Sequence, residues 1–124
     1  MADRDPTYQA DCLFCQIAAG EIPSDRVFED EAVIAFHDIN PKAPTHVLAM
    51  PRRHLASVAD LTDADGDLLE ALFGALRHVA EEAGLKSYRL ISNVGAESGQ
   101  SVFHLHFHLL GGRKLDTREA EAFP

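Results

Sequence analysis

Basic residues are scarce in this chain. Lys and Arg number 11 against 20 Asp and Glu, giving a formal net charge of −9 over 124 residues. Such an acidic surface repels nucleic acid polymers and anionic membranes across about a Debye length. Neither is expected as a partner, although a small nucleotide in a local dipolar pocket is not excluded. No window holds the ~18 consecutive apolar residues that a membrane span needs. Residues 1–11 are polar, contain Pro6 and lack the apolar stretch of a secretory signal, so the protein is expected to be cytoplasmic. Cysteine is limited to Cys12 and Cys15. In a reducing compartment this pair points to a metal or redox site rather than to a structural disulfide. Internal repeats, linkers and low-complexity segments are absent, and the length suits one domain with a modest core.

Patterning divides the chain into a loose lead-in (1–11), a main domain (12–112) and a short charged tail (113–124). Small and apolar residues over 12–19, closed by Gly20, predict a short helix. Val27–Glu29 and Ala32–His37 predict two strands around a turn at Asp30-Glu31. Pro41 and Pro44 keep 38–45 a loop, and His46–Met50 predicts a strand closed by Pro51. A long helix is predicted from Asp63 to Ala83, capped by Thr62 and ended by Gly84. Leu68, Leu69, Leu72, Phe73, Leu76, Val79, Ala80 and Ala83 form its apolar face. Tyr88–Asn93 and Val102–Leu110 predict two further strands. The sum is an α+β domain: five short antiparallel strands with one long and one short helix.

The last predicted strand carries His104-Leu105-His106-Phe107-His108-Leu109-Leu110. With a repeat of two residues, the imidazoles project from one face, ~7 Å between neighbouring anchors, while Leu105, Phe107 and Leu109 face the core. Histidine titrates near neutrality and binds metals, so nucleophile, proton shuttle and metal ligand can all come from this patch. A solvated sheet face is the plainer alternative. A catalytic zinc site on a His-x-His strand, with an open position for water, is another. The preceding loop, Gly95-Ala96-Glu97-Ser98-Gly99-Gln100-Ser101, offers backbone N–H groups near Gly99 and Gln100 and the side chains of Gln100 and Ser101. Joined to the histidines, these donors converge on an anion, and a phosphoryl group is the natural candidate. Cys12-x-x-Cys15 alone fits a redox dithiol, two core cysteines or half a zinc site.

Gly99-Gln100-Ser101-Val102-Phe103-His104-Leu105-His106-Phe107-His108-Leu109-Leu110 resembles the His-φ-His-φ-His-φ-φ signature of the histidine triad superfamily. Cys12-Leu13-Phe14-Cys15-Gln16-Ile17, Phe36-His37-Asp38-Ile39, Ala43-Pro44-Thr45-His46 and Pro51-Arg52-Arg53-His54 are similar to segments of its nucleotide-binding branch, so the resemblance spans residues 12–112. It implies the fold of that family, with the five-stranded sheet extended across a homodimer. The implied activity is that of a purine nucleoside phosphoramidase or related nucleotidyl hydrolase. It would release a nucleoside monophosphate through a covalent nucleotidyl-histidine on His106. A dinucleoside polyphosphate hydrolase and a non-catalytic nucleotide-binding adaptor are the alternatives. The resemblance further implies that the His104 carbonyl fixes His106, that His108 and Ser101 hold phosphoryl oxygens, and that His46 assists proton transfer. Asp38 would accept the ribose hydroxyls, with His37 beside it, and Asn93 would support the phosphate. Phe14, Ile17 and Leu48 would sandwich the base. The bacterial zinc-containing type supplies His54 and His104 as partners of Cys12 and Cys15 in a structural zinc site. The tail is expected to reach the partner's site and influence the choice of leaving group.

Overall fold

In the computed structural model, which describes residues 4–116, five antiparallel strands form one sheet. They are β1 (Arg26–Glu29), β2 (Val33–His37), β3 (Thr45–Pro51), β4 (Tyr88–Ile91) and β5 (Phe107–Gly111), in the order β1-β2-β3-β5-β4. The helices are α1 (Leu13–Ala18) and the long α2 (Gly66–Glu82). The β1–β2 turn is built by Asp30, whose carboxylate accepts the N–H groups of Ala32 and Val33. This is the local bonding that makes Asp a turn residue.

The two faces of the sheet are covered differently. On one face Val33, Ala35, Val47, Ala49, Leu105 and Leu109 pack against Leu72, Ala75, Leu76, Val79 and Ala80 of α2. On the other, Ile34, Phe36, Leu48 and Met50 pack against Phe14, Ile17 and Ala18 of α1. Because β2 is covered on both sides, Val33-Ile34-Ala35-Phe36 is a continuous apolar run rather than an alternating one. The short α1 leaves part of its face open, and the histidines lie there.

Several boundaries differ from the sequence expectation. The ladder of β5 begins at Phe107, not Val102. Its pairing with β3 ends at Ala49↔Phe107. One step further along β3 lies Pro51, which has no N–H to donate. β4 stops at Ile91↔His108, and the next residue replaces the ladder with a side chain, Ser92 Oγ donating to the His106 carbonyl at 2.7 Å. Leu105 N–H turns to the Leu55 carbonyl. Residues 104–106 therefore keep the alternation of a strand without its ladder: Leu105 is buried with α2, whereas His104 and His106 contact Phe14.

The predicted long helix begins with a 3₁₀ turn, Asp63–Asp65, before α2 proper. Thr62 caps that turn, with Asp65 bonding back to the Thr62 N–H at 2.8 Å. Within α2 Phe73 is 37% exposed and Ala83, just beyond its end, is exposed, while Ala75 is buried in their stead. The expected lead-in is folded: Tyr8 N–H bonds Asp5, Cys12 N–H bonds Gln9, and Thr7 Oγ1 accepts the His54 N–H at 2.6 Å. The tail expected over 113–124 lies outside the described residues from 117 onward.

Asp65 ties α2 to the loop after β3 through Arg53, 2.8 Å away. That guanidinium, then the Thr62 N–H, holds its carboxyl below the usual value. A carboxyl with a lowered folded pKa stabilises fully above its unfolded value, ~3.9, and loses that contribution as pH falls through the folded value. Asp65→Asn should therefore lower the Tm at pH 7, and the gap from wild type should close on acidification. Thermal unfolding from neutral pH to below the unfolded value checks this; equal Tm values at pH 7 would refute it.

Candidate active site and metal cluster

β3 and β5 are neighbours with Leu48 opposite His108 and His46 opposite Leu110. Their shared face brings the His46 and His108 rings to 5.2 Å, centroid to centroid, with His106 5.1 Å further along. Hydrogen-bond partners fix the tautomers in turn. The Lys42 N–H donates to His46 Nδ1 at 3.0 Å, so His46 carries its proton on Nε2. That Nε2 lies 3.0 Å from His108 Nδ1 and donates to it, which leaves the His108 proton on Nε2. Asp38 Oδ2 stands 3.5 Å from the same His46 nitrogen. Asp38, His46 and His108 lie close enough to share a metal. A neutral His46 bonded this way has no lone pair to give at Nε2, however, so in this tautomer it offers no ligand atom there.

His106 is oriented independently. Its Nδ1–H donates to the His104 carbonyl at 2.7 Å, leaving Nε2 with a lone pair. Phe14 stands edge-on to the ring at 5.0 Å. Burial lowers the pKa of His46, His106 and His108, the last to about 4. All three imidazoles are thus neutral at pH 7.

His106 and His108 open into a cleft of about 170 Å³, which also contains Phe14, Ile17, Asp38, Leu48 and Ser101. These are seven of the residues singled out from the sequence. Leu13, Phe36, Ile39 and Val102 complete the lining and were missed. All four sat inside the quoted segments, but an apolar residue carries no mark that separates pocket from core. His37 is exposed at the end of β2, and it and Asn93 stay outside this lining. Gly99 and Gln100 depart from the expectation of phosphate donors. Their backbone N–H groups bond the carbonyls of Ala96 and Gly95. The Gln100 side chain donates to the Ala56 and Val102 carbonyls and accepts the Gly95 N–H. The loop spends these donors on its own shape, which requires positive φ at Gly95 and Gly99. Ser101 keeps its side chain at the cleft.

Beside the cleft, Cys12, Cys15, His54 and His104 place their ligand atoms within 4.8 Å of one another. Cys12 Sγ and Cys15 Sγ lie 3.4 and 3.6 Å from His104 Nδ1, and Cys15 Sγ 3.4 Å from His54 Nδ1. Tetrahedral zinc, with bonds of ~2.3 Å to sulfur and ~2.0 Å to nitrogen, sets sulfur and nitrogen about 3.5 Å apart. The donor set fits. His104 Nε2–H donates to the Pro51 carbonyl at 2.7 Å, which aims the Nδ1 lone pair at the thiols. Burial lowers His104 to about 4, keeping the neutral form that ligates, and pushes the Cys15 thiol up to about 11. A cation in their midst would reverse the second effect. Cys12 also caps α1, its sulfur accepting the Cys15 N–H. The structure therefore joins all four residues named as metal ligands from the sequence in one cluster that could bind a metal.

A family model described as "Scavenger mRNA decapping enzyme C-term binding" matches residues 11–120. A HIT-like protein of Synechocystis, itself uncharacterized, is 45% identical over 104 residues, covering 83% of this chain and 91% of its own. The chain belongs to the histidine triad family. The solved structure of a HIT family hydrolase from Clostridium thermocellum superposes with a TM-score of 0.84 at 46% identity, over 87% of this chain and 96% of that one. A histidine triad nucleotide-binding protein from Candida albicans gives 0.74 at 29% identity, over 88% and 89%. The five-stranded antiparallel sheet with one long helix is thus the fold of this family.

The buried His46–His108 pair makes a spectroscopic prediction. Ring nitrogen NMR should show His108 neutral with its proton on Nε2 at pH 6, titrating near 4. A midpoint at the ordinary imidazole value of ~6.5 would break the assigned chain of tautomers.

Proposed function

We propose that this histidine triad protein hydrolyses a purine nucleoside phosphoramidate to a nucleoside monophosphate and an amine. The observation that carries the reading is the bond from His106 Nδ1–H to the His104 carbonyl, which leaves a nucleophilic nitrogen at the cleft. Neutral imidazole attacks well at pH 7, and a covalent intermediate divides one hard displacement into two. His106 Nε2 gives its lone pair to the α-phosphorus while the P–N bond breaks. The departing nitrogen keeps that electron pair and takes a proton supplied by solvent. Water then attacks phosphorus, the bond from phosphorus to His106 Nε2 breaks with its electron pair returning to the ring, OH stays on phosphorus, and the second proton of the water passes to solvent. His108 Nε2–H and the Ser101 hydroxyl hold the phosphoryl oxygens, and His46 positions the His108 proton. Asp38 accepts the ribose diol; Phe14, Ile17 and Leu48 take the base. His37 and Asn93 stand beyond the cleft's lining and take no part in these steps.

The cleft's charge favours this substrate over a dinucleoside polyphosphate. Among the described residues its lining contains no Lys or Arg, and Asp38 is its one carboxylate. Neutral donors suit a single phosphoryl group on an uncharged or cationic leaving group better than a chain of anionic phosphates. Turnover of an adenosine phosphoramidate, a lysyl adenylate and a dinucleoside polyphosphate tests the reading. The first two should be hydrolysed and the third poorly. His106→Ala should lower kcat by ~10³-fold or more. Alkaline denaturation during turnover should leave a nucleotide on the His106 peptide by mass spectrometry. A fully active His106→Ala variant would overturn the covalent route, and nucleotide binding by wild type with turnover of none of the three would favour an adaptor.

We also propose that Cys12, Cys15, His54 and His104 hold a structural zinc, whose chemistry here is to cross-link α1 to the histidine segment. A homodimer is supported by β4, an edge strand that exposes Tyr88 and Leu90 to 38% and 37%. An edge with unpaired backbone groups and apolar side chains invites a second copy to continue the sheet. Native mass spectrometry should show two 13.6 kDa chains with one zinc each, and zinc should be lost in Cys15→Ser. A metal-free monomer would count against both.

A further inference from the structure

A second recess begins where the cleft ends. It has a volume of about 460 Å³ and shares Leu13, Ser101 and Val102 with the cleft. Besides these it is lined by Gln9, Asp11, Phe103, and Cys12 and His54 of the Cys/His cluster. Leu13 and Phe103 are 45% and 48% exposed, unusual for large apolar side chains beside a buried site. Asp11 is exposed, and among the described residues it makes no ion pair. Asp11 and Leu13 flank Cys12, Phe103 precedes His104, and the Cys12 sulfur lies 3.4 Å from the His104 ring nitrogen, so these lining residues are tied to one cluster.

We propose that this groove receives the leaving group, and that it selects an alkyl or aryl-alkyl amine bearing a second ammonium group. The inference rests on the phosphoramidase reading above. A phosphoryl group held by His106, His108 and Ser101 occupies the junction of the two recesses, with the base side of the cleft already assigned. The group on the opposite side of phosphorus enters at Ser101. Its apolar stem lies over Leu13, Val102 and Phe103, and its ammonium meets Asp11. Among the described residues no Lys or Arg lines the groove to repel it, and the overall charge of −9 draws cations toward it. An anionic leaving group meets the same carboxylate with the opposite sign.

The test compares phosphoramidates of one nucleoside with four leaving groups: ammonia, a linear diamine, the alkylamine of equal length, and its analogue ending in a carboxylate. Wild type should prefer diamine to carboxylate by about tenfold in kcat/KM, the scale of an exposed charge pair plus its repulsive counterpart. Asp11→Lys should abolish or invert that ratio, and Asp11→Asn should remove it. Phe103→Ser should reduce kcat/KM for the diamine and alkylamine a few-fold. The ammonia compound cannot reach the groove, so its turnover should stay constant in all three variants, as should metal content. Hydrolysis of the ammonia compound with ratios that do not respond to Asp11 would overturn the groove assignment alone. No hydrolysis of the ammonia compound by wild type would instead overturn the reaction on which it rests.

Discussion

The hydrogen bond from His104 Nε2–H to the Pro51 carbonyl, 2.7 Å long and sealed from water, is the constraint on which the site depends. It sets the tautomer of His104 and so aims Nδ1 at Cys12 and Cys15. It also fixes the segment whose carbonyl, one bond along the chain, accepts from His106 Nδ1. One residue thus faces Cys12 and Cys15 with its ring and His106 with its backbone. Pro51 suits the partner role because it ends β3 without an N–H of its own. The sheet stops there, and its last carbonyl is left for a side chain. The break in the β3–β5 ladder and the orientation of His106 have the same physical origin.

That origin explains what the sequence could and could not show. The period of two survived the loss of the ladder because side-chain alternation needs only extended backbone and one buried face, which Leu105, Phe107 and Leu109 supply. The sheet, the long helix and the grouping of Cys12, Cys15, His54 and His104 were legible as pattern and motif. Interactions made by backbone carbonyls and hydroxyls were not. Nothing in the letters marks Ser92 as the partner of the His106 carbonyl, or Thr7 as the anchor of His54. Gln100 shows the converse error. Its residue type suggested a phosphate donor, but an amide with two donors and an acceptor is equally able to tie a loop, and all of these are used that way. The start of α2 was misplaced because Thr62 caps a 3₁₀ turn, and a cap does not declare which helix follows.

The three histidines are chemically identical in sequence and are made different by single neighbours. A backbone donor at Lys42 forces the His46 proton to Nε2, and that proton forces the His108 proton to its own Nε2. A backbone acceptor at His104 does the reverse to His106. Adjacent rings thus present a donor and a lone pair to the same cleft. Burial keeps both uncharged, so neither role is lost to protonation near neutral pH.

Neutrality also bears on how so acidic a protein could hold an anionic group. A cationic cluster would bind phosphate more strongly but would bind polyphosphates more strongly still, and it would favour ground state and transition state alike. Uncharged N–H and O–H donors, fixed by their other bonds, give little to a distant anion and most to the charge that develops on a phosphoryl group in contact with them. Among the described residues the cleft has no Lys or Arg and one carboxylate, Asp38, so added negative charge on a substrate is uncompensated. On the proposed function, selectivity for a single phosphoryl group joined to an uncharged or cationic amine would follow from what the site omits, as much as from what it contains.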